Sequence, residues 1–193
     1  VPQDNKTAVK WFKLAAEQGY AKSQHNLGFM YANGNGVPQD YKTAVKWYSL
    51  AAEQGVANAQ FNLSSMYDNG QGVPQDHKDA LKWYRLAAEQ GDAGYQATLG
   101  AIYRIGRGVP QDYKTAVKWC RLSAKQGYAS AQSNLGFMYA NGQGVIQDNK
   151  TAVKWYRLAA EQGDADAQSN LGVMYGIGAG VIKDYVYAHM WGN

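Results

Sequence analysis

The strongest constraint on this chain is a unit of 36 residues that recurs along its length without an insertion or deletion. Each copy begins with Val-Pro-Gln-Asp or a close variant of it, at Val1, Val37, Val73, Val109, Val145 and Val181. A repeat of this length is typical of solenoid proteins, because one short unit cannot bury its own apolar side chains and must stack on its neighbours. The whole chain is therefore expected to fold as one array of similar units.

Within a unit, apolar residues recur with a helical period in two segments, at roughly residues 21–33 and 41–54 of one copy. Asp40 precedes the second segment, and its carboxylate can accept hydrogen bonds from the unpaired N–H groups of the first turn. Gly55 follows that segment and can adopt the left-handed conformation that ends many helices. Since no segment shows the alternation of a strand, the sequence predicts an all-α fold of stacked antiparallel helix pairs.

The two segments are joined by a Gly-x-Gly stretch, Gly34 to Gly36, that could cradle a phosphate or simply reverse the chain. A phosphate site needs a helix N-terminus that is open to the anion. Here Asp40 already places a negative charge at that N-terminus, and the same stretch returns in every copy. The sequence therefore predicts a turn rather than a nucleotide site.

Three columns of large apolar residues are expected to form the core of the stack. They are the tryptophans Trp11, Trp47, Trp83, Trp119, Trp155 and Trp191, the second-helix leucines Leu14, Leu50, Leu86, Leu122 and Leu158, and the first-helix leucines Leu27, Leu63, Leu99, Leu135 and Leu171. The small residue that follows each first-helix leucine is expected to allow close approach of a neighbouring helix.

The repeat divides the chain into a half repeat, residues 1–19, four full repeats, 20–55, 56–91, 92–127 and 128–163, and a truncated repeat, 164–193. Both ends resemble cuts through a longer array, because natural solenoids usually carry polar capping repeats. The uncapped ends are expected to offer surfaces for end-to-end self-association.

The pattern of one copy resembles the Sel1-like repeat (SLR), a relative of the tetratricopeptide repeat. The matching residues are Ala21, Leu27, Gly28, Tyr31, Gly34, Gly36, Val37, Asp40, Ala44, Trp47, Ala51, Ala52 and Gly55. The resemblance implies a right-handed α-solenoid that binds proteins or peptides, often in bacterial signalling or host interaction. One branch of the family is cysteine-rich, with a disulfide in each repeat and penicillin-binding or β-lactamase-like activity, whereas this chain has the single cysteine Cys120.

The copies differ mainly along one face of the first helix, and alignment with the tetratricopeptide pattern places this face on the concave surface. The predicted peptide-binding groove comprises Lys22, His25, Phe29, Asn33, Asn58, Phe61, Ser65, Asp68, Asn69, Ala101, Arg104, Ile105, Ser133, Phe137, Asn141, Asp166, Ser169 and Val173. Unselected drift of surface positions is the alternative explanation. A steadier asparagine column beside the groove could bond a peptide backbone or a neighbouring helix.

Two lysine columns of the second helix hold ten of the 19 basic residues and are expected to form a stripe on the outer surface. The columns are Lys6, Lys42, Lys78, Lys114 and Lys150, and Lys10, Lys46, Lys82, Lys118 and Lys154. A solvated face is the simpler interpretation, and binding of nucleic acid is the alternative.

The residues that usually carry chemistry form no recognisable site. His25, His77 and His189 stand in different columns, without the cysteine or acidic partners of a metal site. Cys120 lacks a base and an orienting partner in the sequence. No apolar run approaches the roughly 18 residues that a membrane helix needs. We therefore expect no cofactor, no metal and no membrane partner.

These observations predict a non-enzymatic scaffold or adaptor that holds a peptide or protein segment in its groove. The candidate apolar anchors are Phe29, Phe61 and Phe137, and the candidate specificity contacts are Asp68, Arg104 and Asp166. The alternatives are an enzyme of the cysteine-rich branch and a nucleic-acid-binding protein that uses the lysine stripe.

Overall fold

The computed structural model describes residues 4–191. The chain divides into two compact units, which we call unit 1 (residues 1–91) and unit 2 (residues 92–193). The described part contains eleven α-helices and no strand. The predicted all-α fold of stacked helix pairs is confirmed. The predicted repeat boundaries remain a prediction. Residues 1–3 of the predicted half repeat and residues 192–193 of the predicted truncated repeat lie outside the described residues.

Unit 1 consists of five helices, each packed against the next along the chain. They are α1 (Asn5–Glu17), α2 (Ala21–Asn33), α3 (Tyr41–Glu53), α4 (Ala57–Asn69) and α5 (His77–Glu89). The even-numbered helices are the first helices of the repeats, and the odd-numbered ones are the second helices.

Unit 2 continues the pattern with six helices, and its first helices also contact one another, α6 with α8 and α8 with α10. The helices are α6 (Ala93–Ile105), α7 (Tyr113–Lys125), α8 (Ala129–Asn141), α9 (Asn149–Ala160), α10 (Ala165–Ile177) and α11 (Tyr185–Trp191).

The predicted helix boundaries depend on the capping residues, and the structure confirms them. Asp40 accepts a hydrogen bond from the backbone N–H of Thr43 at 3.1 Å and another from the Thr43 hydroxyl at 2.7 Å. Gly34 ends α2 in the left-handed conformation, with φ of 69°. Gly55 lies just beyond α3 with φ of 87°. The aspartate therefore starts the second helix, and the glycines end both.

The second glycine of four of the five Gly-x-Gly turns, Gly36, Gly72, Gly144 and Gly180, lies against a backbone, so a side chain there would clash. A Cβ placed on Gly36 would lie 2.5 Å from the carbonyl carbon of Asn5, at the start of α1. Gly72 lies equally close to the backbone of Tyr41, at the start of α3. The predicted turn is confirmed, and it also packs each repeat against the preceding second helix within the unit.

The first-helix leucines form the core as predicted, since all five are at most 1% exposed. The prediction for the second-helix leucines is wrong, because all five are between 37% and 52% exposed. Alanines occupy the buried face of the second helices instead, for example Ala51 and Ala52. The prediction for the tryptophans holds only in part, because Trp11 is 68% exposed and the other five are half-buried. Trp83, for example, packs at the edge of the cluster around Leu63.

Buried glutamines join the helices inside each unit. In unit 1, Nε2 of Gln60 donates to the carbonyl oxygen of Ala52 at 3.1 Å, and its Oε1 accepts a hydrogen bond from Gln90 at 2.8 Å. In unit 2, Gln132 makes the same two bonds, to Ala124 and Gln162. Each glutamine thus connects a first helix to the second helices on both sides of it.

Candidate functional site

We call the predicted groove residues the first-helix face, and in unit 1 this face centres on Phe29. The Phe29 side chain is 46% exposed and lies between two surface depressions. One depression, of about 390 Å³, is lined by Asn5, Ala8, Phe12, Asn26, Phe29, Met30 and Asn35. The other, of about 230 Å³, is lined by Phe29, Ala32, Asn33, Tyr41, Tyr48, Asn62, Ser65, Met66 and Gln71. The structure therefore brings the predicted residues Phe29, Asn33 and Ser65 together.

The floor of the unit 1 face contains a polar cluster between α2, α3 and α4. The His25 ring lies 5.7 Å from the Tyr48 ring, and its Nε2 lies 3.1 Å from Nδ2 of Asn62. Burial lowers the pKa of His25 and raises the pKa of Tyr48 to about 12. Both side chains are therefore uncharged at neutral pH. For Asn62, the predicted bond to a neighbouring helix is confirmed.

Two of the predicted contact residues in unit 1 face internal partners. The carboxylate of Asp68 is only 8% exposed and lies 2.6 Å from Nδ1 of His77. The ring of Phe61 packs edge-on against Tyr84, with 5.4 Å between the ring centroids. Asp68 and Phe61 thus have structural contacts within unit 1, whereas Phe29 presents its ring to solvent.

The asparagines at the end of three first helices bond to their own helix. The Nδ2 atoms of Asn33, Asn69 and Asn141 donate to the carbonyl oxygens of Phe29, Ser65 and Phe137, at 2.9, 2.9 and 2.8 Å. These asparagine amides are therefore engaged in part by bonds within their own helices. Ile105, which takes the same place in α6, is exposed instead.

In unit 2, the first-helix face contains a depression of about 260 Å³ with charged residues at its margins. It is lined by Arg104 from α6, by Ser133, Asn134 and Phe137 from α8, and by Asp166 and Asn170 from α10. The guanidinium carbon of Arg104 lies 5.7 Å from the centre of the Phe137 ring, and Phe137 is 37% exposed. Four predicted residues meet here, together with two asparagines of the neighbouring column.

The remaining predicted residues lie along the same helices at varied depth. Lys22, Asn58, Ser169 and Val173 are exposed, and Ala101 is half-buried. Sequence reasoning did not assign Tyr41, Tyr48 and Gln71 to the site, although they line a depression of unit 1. Tyr48 stands in a nearly constant column, and Tyr41 and Gln71 lie outside the first helices, so the variation within those helices gave no signal for these residues.

The second helices expose a different surface. All ten lysines of the two columns are exposed, beside the exposed leucines of the same helices. Cys120 is buried, and burial raises the pKa of its thiol to about 12, although the charge of Arg104 acts in the opposite direction. Within residues 4–191, no group of histidine, cysteine and acidic residues could hold a metal ion. No helix in this range is long and apolar enough to cross a membrane.

The stacked helix pairs and their regular repeat define a helical-repeat protein. The chain belongs to the Sel1 repeat family, whose profile matches residues 1–20, 21–56, 57–92, 95–128, 129–164 and 165–192. The predicted family is therefore confirmed. Proteins of this family generally act as protein–protein interaction scaffolds and not as enzymes.

Several solved structures share this fold. A protective antigen present in uropathogenic Escherichia coli strains, which displays an SLR fold, has a TM-score of 0.93 and 43% identity, covering 98% of this chain and 40% of its own. A Sel1 repeat protein from Oxalobacter formigenes has a TM-score of 0.86 and 35% identity, covering 97% of this chain and 80% of its own. This chain thus spans less than half the length of the antigen.

The cysteine-rich branch is also represented, by Helicobacter pylori cysteine rich protein B. Its TM-score is 0.51 and its identity is 25%, over 67% of this chain and 92% of its own. All three proteins come from bacteria, as the resemblance implied. A search of the curated proteins finds no match to this chain.

Proposed function

We propose that this chain is a non-enzymatic scaffold that binds a peptide or protein segment on its first-helix faces. The observation that carries the proposal is the same in both units: an exposed phenylalanine, Phe29 or Phe137, lies at a depression lined by asparagines. Aromatic side chains contribute much of the binding energy at protein interfaces. Asparagine side chains offer a donor and an acceptor to the backbone of a bound segment.

The arrangement suits a segment that lies across several first helices. Apolar contact at each phenylalanine would bury a side chain of the partner, and the polar groups around it would fix the direction of the backbone. The two units present different surroundings, since Phe29 has tyrosines and amides beside it and Phe137 has charged residues. Each unit therefore selects different side chains of its partner.

Selection of short random peptides displayed on phage tests this function. Peptides recovered on the parent protein are synthesised, and their affinities are measured for the parent and for Phe29→Ala and Phe137→Ala. We expect at least one of these variants to weaken binding by about tenfold, because a buried aromatic anchor contributes more than 1.4 kcal/mol.

The matched controls are Leu50→Ala and Leu122→Ala, which remove apolar side chains of comparable exposure from the second helices. They are expected to leave the affinity unchanged. If the controls weaken binding and the phenylalanine variants do not, the binding surface lies on the second helices and the proposal is wrong.

A further inference from the structure

Unit 2 departs from the repeat at two positions, one in α6 and one in α7. The column that reads Ala32, Asp68, Arg104, Ala140 and Gly176 has its only arginine in α6. The following helix, α7, has its only cysteine, Cys120, where α3, α5 and α9 have a tyrosine. The positive charge of Arg104 acts on the Cys120 thiol, so the two departures from the repeat influence each other electrostatically.

The guanidinium of Arg104 is held by stacking. Its carbon lies over the Phe137 ring, and its Nε is buried without an acceptor among the described residues. A guanidinium has five N–H donors in one plane, and a carboxylate matches that plane with two acceptors. A ligand acceptor at the edge of this group would therefore form charge-assisted bonds.

The opposite margin of the same depression is acidic. Asp166 lies in the first turn of α10, and its side chain is exposed. Between Arg104 and Asp166 the floor is formed by α8, which contributes Phe137 and the amide of Asn134. The depression thus runs from a positive group to a negative group across an apolar ring.

We infer that the unit 2 face binds a dipolar peptide segment, with a carboxylate side chain against Arg104 and a cationic side chain against Asp166. This inference rests on the proposed function and specifies its ligand. A simple anion such as free phosphate is a poorer match, because Asp166 would repel it while Arg104 attracts it. A ligand with both charges in the correct order interacts favourably with both margins.

The order of the charges is tested by exchanging them. Random peptides on phage are selected on the parent protein and on the double variant Arg104→Asp/Asp166→Lys. Both new residues already stand in these columns elsewhere in the chain, as Asp68 and Lys22 do, so the helices accommodate them. Circular dichroism and the thermal midpoint verify that the double variant is folded.

We expect peptides from the parent to carry an acidic and a basic residue on opposite sides of an apolar residue. Peptides from the double variant should carry them in the reverse order, and each set should bind the other protein about tenfold more weakly. The control Lys118→Asp/Glu161→Lys makes the same charge changes on the exposed surface of α7 and at the C-cap of α9, and it should select the parental order.

The outcomes separate this inference from the proposed function. Peptides that depend on Phe137 but show no charge order, or the same order on both proteins, overturn the dipolar ligand and leave the scaffold function intact. Recovery of no peptide on the parent contradicts the scaffold function, and the dipolar ligand with it. If the double variant fails to fold, the single variant Asp166→Asn replaces it and should lose the preference for the basic residue alone.

Discussion

Gln60 and Gln90 form a side-chain hydrogen bond of 2.8 Å that connects two helices of unit 1. Gln60 is 5% exposed, and its Nε2 donates in turn to the carbonyl oxygen of Ala52. That carbonyl lies in the last turn of α3, where it also accepts a hydrogen bond from the backbone N–H of Gly55 at 3.0 Å. The buried amide therefore adds a second donor at a helix end and connects α4 to the C-terminal ends of α3 and α5.

Replacing this amide with a side chain of similar volume should destabilise the protein. Gln60→Met removes both hydrogen bonds and leaves the amide of Gln90 without its acceptor on Gln60, which costs about 1–3 kcal/mol. The free energy of unfolding in urea measures the loss. Gln18→Met is the control, because Gln18 is exposed, and it should change stability by less than about 0.5 kcal/mol. Equal effects at both positions would contradict the structural role of Gln60.

The repeat, the helix boundaries and the turns could all be predicted from the sequence, because each has a local cause. Asp40 and Gly34 act on neighbouring residues, so their roles follow from the order of the chain alone. The role of Gln60 could not be predicted in this way. A polar residue that recurs in every copy is normally interpreted as solvent-exposed, and only the packing of the neighbouring helices shows that Gln60 is buried.

Close approach of two helices at Gly28 leads to a second prediction. A Cβ placed on Gly28 would lie 2.7 Å from Cδ1 of Tyr48, which is buried in the neighbouring helix. Gly28→Ala should therefore lower the free energy of unfolding by about 1–3 kcal/mol through overpacking. In Gly176→Ala the nearest atom would be 3.7 Å away, so the better helix propensity of alanine should raise stability by up to about 1 kcal/mol. A stabilising Gly28→Ala would refute the contact.

The two leucine columns should respond differently to truncation. Leu63 is 1% exposed, whereas Leu86 is 37% exposed. Leu63→Ala should cost about 2–5 kcal/mol, because it leaves a cavity in the core. Leu86→Ala should cost less than about 1 kcal/mol. Chemical denaturation of the two variants measures the difference, and similar losses would contradict the observed burial.

The error about Leu86 shows a limit of sequence patterns in this fold. The second helix has apolar residues on more than half of its circumference, so the pattern cannot tell which of them face the neighbouring helices. The small Ala87 and Ala88 are buried because they allow close packing, and Leu86 lies beside them on the exposed side. The same limit applies to the candidate site, where Phe29 and Phe61 lie on the same predicted face in neighbouring columns but only Phe29 is exposed.

The thiol of Cys120 should be unreactive in the folded protein. Its pKa is raised to about 12 by burial, so it stays protonated at neutral and mildly alkaline pH, and the thiolate is the reactive form. We expect a thiol reagent to label the native protein slowly and the urea-unfolded protein completely. Since the chain has one cysteine, the labelled fraction reports on this site alone. Rapid labelling of the native protein would contradict the burial of Cys120.

His25 should make the stability of unit 1 depend on pH. Burial lowers its pKa in the folded state, so the unfolded chain binds a proton more readily. The contribution of neutral His25 is fully present above the unfolded pKa of about 6.5, and it is lost as the pH falls below that value. In His25→Phe, which introduces the residue found at position 61 of the same column, this loss should disappear. Unfolding in urea at several values between about pH 7 and pH 5 measures the effect. If the difference in free energy of unfolding between the parent and His25→Phe stays constant over this range, protonation of His25 is not coupled to unfolding.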